Sequence, residues 1–192
     1  MGATAIHIDQ FVHIRIIIGI LLGLSISRLV TGLSRSVQTS ASFRIYPLHV
    51  VWIVYLLLAI VDFWWFEYGL LKIKVWTFGL YLFVIFYASI FVFISSILFP
   101  DRGHGYVSYE KYFQGRRRPF YCMMLLLSVL DVVDSWIKGR EHFASLGVDY
   151  LVVQAIEALG ALVAIIVASR KYQMAYALTA VACEVYLLSK MF

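Results

Sequence analysis

The chain has 192 residues, 62% of them apolar and 14% charged, with a formal net charge of +5 and a mean hydropathy of +0.87. A soluble domain runs ~45–50% apolar and ~25% charged. The composition therefore excludes a disordered chain, a soluble nucleic-acid-binding domain and a disulfide-stapled scaffold, and points to an all-α polytopic membrane protein, a single transmembrane domain over residues 1–192.

A spanning helix needs about 20 apolar residues. Six runs meet that need: Phe11–Leu33, Pro47–Tyr68, Val75–Leu98, Phe120–Ile137, Tyr150–Ser169 and Met174–Met191. In hydrocarbon the backbone must satisfy its own hydrogen bonds, so each run is expected to be a helix. Pro47 opens the second run, Pro100 follows the third and Pro119 precedes the fourth, positions where proline is tolerated.

The first run is read as a retained span rather than a signal peptide. Met1–Gln10 holds no Lys or Arg, and no small-x-small cleavage site follows cleanly. Gly19, Gly23 and Ser27 recur along it every four residues, as Gly160, Ala164 and Ala168 do in the fifth, a spacing that lets helices approach closely. Arg28, near the cytoplasmic end, is expected to snorkel to the headgroups. Four of the five tryptophans lie near span ends, and Trp52 lies one turn inside.

Between the third and fourth runs, Asp101–Pro119 reads DRGHGYVSYEKYFQGRRRP. Ser108 is expected to cap a short interfacial helix, with Tyr106, Tyr109, Tyr112 and Phe113 on one face at headgroup depth. Arg116, Arg117 and Arg118 would then face anionic headgroups or a docking partner. Three arginines at a membrane border are what orientation alone requires, so nucleic-acid binding does not follow. Arg140–Leu146 is expected to form one or two turns stopped by Gly147.

Basic residues set the orientation. Ten fall in or beside the first, third and fifth loops (Arg28, Arg35, Arg44, Arg102, Lys111, Arg116, Arg117, Arg118, Arg170 and Lys171), against five on the other side: Lys72, Lys74, Lys138, Arg140 and Lys190. The odd loops are therefore expected in the cytoplasm and both termini outside it. The general look is similar to that of small bacterial inner-membrane proteins, which implies no function.

The acids inside the runs run against membrane physics. Asp62, Asp131, Asp134, Glu157 and Glu184 lie within predicted spans, and a charge at the bilayer centre costs ~2.5–3.5 kcal/mol on insertion scales. At ~1.5 Å of rise per residue they lie about 22, 16, 21, 20 and 15 Å from the cytoplasmic border, one layer fed by four helices. Arg15, near the top of that layer, is the expected counter-charge for Asp62, Asp134 or Glu157. Gln154 shares the face of Glu157 and extends the polar track.

Carboxylates in a bundle interior commonly mark ion or proton routes. The favoured expectation is a cation- or proton-conducting channel or transporter whose path is lined by Asp62, Asp131, Asp134, Glu157, Glu184 and Arg15, as a homo-oligomer in a bilayer with anionic headgroups. The alternative is a non-transporting accessory subunit or scaffold that docks through Tyr109, Tyr112 and Arg116–Arg118. A third is a Mg²⁺-dependent lipid-phosphate enzyme, since Asp131 and Asp134 form a bare DxxD; no second DxxD accompanies it. No catalytic residue, cofactor or metal site is expected. His104 and His142 are isolated, and Cys122 and Cys183 are read as small buried apolar residues.

Overall fold

The computed structural model describes residues 2–38, 46–73, 75–99 and 108–191. Arg44, Lys74, Pro100, Arg102, His104 and Tyr106 lie outside these. The described residues form α-helices: α1 (Gly2–Gln38), α2 (Pro47–Phe66), α3 (Phe78–Leu98), α4 (Tyr109–Ile137), α5 (Arg140–Ser145), α6 (Gly147–Ile166) and α7 (Arg170–Met191), with a 3₁₀ turn at Glu67–Lys72 extending α2. Five stretches are long and apolar enough to cross a membrane: Gln10–Arg35, Pro47–Lys72, Phe78–Leu98, Tyr109–Ile137 and Gly147–Ile166.

Helix starts follow from their caps. Pro47 begins α2, where its missing N–H is harmless. The Thr77 hydroxyl accepts from the Leu80 N–H at 3.2 Å, so α3 begins at Phe78 rather than Val75. Ser108 accepts from the Lys111 N–H at 3.3 Å and starts α4. Gly139 (φ 117°) ends α4 and Gly147 (φ 74°) joins α5 to α6, both in the left-handed region that favours glycine.

One expectation is corrected. Among the described residues no separate interfacial helix lies between the third and fourth spans; Tyr109–Ile137 is a single helix running through Pro119. Proline at 119 frees the carbonyl of Gly115, and both residues are exposed, so solvent or headgroups can bond it. Tyr109 and Tyr112 are buried rather than placed at the surface. Tyr112 donates to the Phe99 carbonyl at 3.1 Å, and the Tyr109 and Phe113 rings pack edge-on against His49 at 5.6 and 5.2 Å. Periodicity put these rings on one face correctly, but that face meets α2 and the end of α3.

Helix neighbours close a ring: α1 packs on α3, α3 on α4, α4 on α6, α6 on α7, α7 on α2, and α2 on α1. Outward faces are apolar, as with Val12, Ile16, Ile20 and Leu24 along α1, and this much exposed hydrocarbon suits lipid rather than water. Cys122 also faces outward and Cys183 is half-buried, both free, so neither is the buried residue expected. Inside the ring, Trp52 is fully buried among Tyr55, Phe120, Tyr121 and Tyr176, with ring centroids 5.2–5.8 Å from its own. This aromatic plug joins α2, α4 and α7.

The small-residue repeats divide by position. A Cβ on Gly19 would meet Trp64 at 3.3 Å and one on Gly160 would meet the Tyr176 ring at 2.3 Å, while Gly23 has nothing within 4 Å. Ser27 and Ala168 are exposed. Only some members of each repeat make a close contact, because the others face out of the ring.

Candidate functional site

Within the ring, next to the aromatic plug, lies a cavity of about 360 Å³. Its wall is drawn from α2, α3, α4, α6 and α7. Asp62, Asp131, Asp134, Glu157 and Glu184 all line it, joined by Asp149, Lys138 and Lys190. Helical rise alone sets the depth of these acids; the order of helices around the ring turns them toward one space. The cavity reaches the α5–α6 corner, where Ser145, Leu146 and Gly147 line it and Ser145 and Gly147 are exposed, so this corner is its rim.

Asp131 is the most completely bonded acid. Its Oδ1 accepts from the Tyr87 hydroxyl at 2.9 Å, and its Oδ2 accepts from the Tyr150 hydroxyl at 2.7 Å and Gln154 Nε2 at 2.6 Å. Three donors on one carboxylate match an acceptor-only group. The network continues outward. Tyr150 spends its proton on Asp131, so Ser135 donates to the Tyr150 oxygen at 3.0 Å, and Ser128 donates to Gln154 Oε1 at 2.7 Å.

Asp134 faces a different partner. Lys138, one turn later, bonds both the Asp134 carboxylate and Glu67 Oε1, the latter at 2.9 Å. All three side chains are buried, 4% exposed or less. The lysine stem lies against Gly69, where a Cβ would sit 3.1 Å from its Cδ. Asp131 and Asp134 thus use their oxygens on separate partners, and among the described residues no three His, Cys, Asp or Glu converge to hold a metal ion.

Glu157 and Glu184 are bonded less. Glu157 Oε2 accepts from the Tyr55 hydroxyl at 3.1 Å, while Glu157 Oε1 and Glu184 Oε1 are buried with no hydrogen-bond partner. Buried polar atoms normally find partners, so these unpaired oxygens on two cavity-lining residues are unmet acceptors of the site. At the rim, Lys190 pairs with Asp149, which also accepts from the Tyr186 hydroxyl at 3.1 Å. His142 lies nearby on α5, its ring 6.4 Å from Phe66; partial burial lowers its pKa, and the charges of Lys138 and Lys72 lower it further.

Arg15 is a correction to the expected site. Its guanidinium lies over the rings of Tyr68, Trp64 and Phe11, at 4.1, 4.6 and 5.5 Å, and Arg15 does not line the cavity. Aromatic faces attract a cation where water is scarce. The counter-charge of the acidic layer is Lys138 instead, with Glu67 as its second partner. From sequence Lys138 is read as a loop residue that sets orientation, and Glu67 is not singled out. The signal for Lys138 was its i,i+4 spacing from Asp134; Glu67 carried none, since its partner is 71 positions away.

Of the expected contact residues, Arg116 and Arg118 are exposed and Arg117 is half-buried at the α4 end remote from the cavity. Arg170 bonds Glu110 at 2.5 Å and ties the start of α7 to the start of α4. Comparison with family models, with curated proteins and with solved structures finds no match for this chain.

Proposed function

We propose that this chain is an integral membrane protein of six spans, α7 included, that carries cations or protons through its acidic cavity. The observation that supports the reading is the convergence of five carboxylates from four helices on one space, three of them with buried, unpartnered oxygens. Acids inside a membrane bundle are costly, and that cost is commonly met where ions or protons pass.

The inclusion of α7 rests on geometry. Arg170–Met191 has 22 residues, about 33 Å at the helical rise, enough for a ~30 Å core. It closes the ring between α6 and α2 and brings Glu184 to the cavity. With the odd loops cytoplasmic and both termini outside, the α5–α6 rim faces outward. The buried aromatic plug around Trp52 then lies on the cytoplasmic side of the cavity. A space open at one end and plugged at the other favours a carrier that changes shape over a permanently open pore.

The accessory-subunit reading draws on the Glu67–Lys138–Asp134 cluster, a buried ion-pair triad that joins the end of α4 to the turn after α2. Flux separates the two. In proteoliposomes, the full chain should dissipate an imposed proton or cation gradient. Glu157→Gln with Glu184→Gln should cut that flux at least tenfold while the protein still purifies as a folded species. Absence of flux for protons and for every cation tested would sink the transport reading.

A further inference from the structure

Donors and acceptors around the cavity do not balance. Tyr87, Tyr150 and Gln154 are committed to Asp131, Tyr55 to Glu157, Lys138 to Glu67 and Asp134, and Lys190 to Asp149. The acceptors are in excess: Glu157 Oε1, Glu184 Oε1 and Asp134 Oδ1 are buried and unpartnered, on residues 7%, 8% and 3% exposed. A ligand that satisfies these acceptors brings N–H or O–H donors and positive charge, since six acids line the cavity against two lysines.

The shape narrows the class. A bare divalent cation needs several oxygens converging within about 2.0–2.6 Å, and no three acids among the described residues converge that way. The acids are instead distributed around a cavity of about 360 Å³, within the ~300–1,000 Å³ range of small-molecule sites. Part of the wall between them is aromatic. Phe63 lies edge-on to Tyr87 at 4.7 Å and 5.3 Å from Phe91, and all three rings line the cavity. Aromatic faces hold both the hydrocarbon body of a ligand and an adjacent ammonium.

Resting on the transport reading for its purpose but not for its chemistry, the geometry points to a small organic ammonium ion as the ligand: its N–H groups on Glu157 and Glu184, its apolar body on Phe63, Tyr87 and Phe91. An ammonium offers three donors and no acceptor, the complement of this wall. Access is from the α5–α6 rim.

The test uses the full chain in lipid nanodiscs and calorimetric titration with benzylammonium, with benzyl alcohol and sodium as comparators. Saturable benzylammonium binding, at least tenfold tighter than benzyl alcohol and little affected by equimolar sodium, is expected. Glu157→Gln with Glu184→Gln should weaken it at least tenfold, and Phe91→Leu severalfold. No saturable binding by the unaltered chain, or equal binding of benzyl alcohol, overturns the inference without any variant having to fold. Proton or sodium flux without benzylammonium binding overturns it and leaves the transport reading standing. Benzylammonium binding without any flux supports it and removes the transport reading instead.

Discussion

Lys138, just past the end of α4, bonds Glu67 in the 3₁₀ turn after α2 at 2.9 Å, with both side chains almost wholly buried. The pair ties two helices at the cavity wall and brings its one cation to a space with many acids. Desolvating charged groups is costly, and such a cluster holds only while its partners are complete.

Removing the cation alone should therefore be severe. Lys138→Met leaves two buried carboxylates facing each other and should destabilise the fold by about 3–5 kcal/mol. Adding Glu67→Gln and Asp134→Asn should recover part of that loss, because the orphaned charges go with the lysine. Unfolding in mixed detergent checks both. A Lys138→Met effect below about 1 kcal/mol, the range of exposed pairs, would show the cluster to be solvated.

Two glycines should respond oppositely to the same substitution. Gly160→Ala places a methyl 2.3 Å from the Tyr176 ring, which is held by its hydroxyl bond to the Glu157 carbonyl at 2.9 Å. Overpacking of this kind costs about 1–3 kcal/mol. Gly23→Ala meets nothing within 4 Å and should be neutral or stabilising by up to ~1 kcal/mol through helix propensity. Thermal midpoints of the two variants, measured in one detergent, decide the contrast.

His142 should give the rim a pH signature. Burial beside α2, then Lys138 and Lys72, lower its pKa below the ordinary value. The unfolded chain then binds the proton at higher pH than the folded one, so stability rises with pH through the window below ~6.5. The His142 ring should titrate by NMR with a midpoint under that value. His142→Gln should flatten the thermal midpoint between about pH 5.5 and pH 7, and an unchanged slope would assign the effect elsewhere.

Much of the architecture was readable residue by residue. Apolar run length marks α1–α4 and α6 because transfer to hydrocarbon is a local sum. Ser108 and Gly147 announce their roles because capping and left-handed turns involve only neighbours in the chain. The depth of Asp62, Asp131, Asp134, Glu157 and Glu184 follows from a fixed rise per residue. The aromatic face at Tyr109, Tyr112 and Phe113 was visible too, although what it packs against was not.

Partners lay beyond that reach. Arg15 and Lys138 are both cations near a span end, and nothing local shows that Arg15 settles on Trp64 and Tyr68 while Lys138 turns into the acidic layer. Glu67 and Lys138 are 71 positions apart, and Tyr55 and Glu157 are 102 apart. Such pairings depend on which helix faces close the ring, a collective result of packing rather than a property of any segment. Composition and periodicity point to a bundle of long apolar helices and place five acids within their length. The ring of α1, α3, α4, α6, α7 and α2 turns those acids inward and makes one cavity of them, because a helix carries its side chains at known heights but takes its rotation from its neighbours.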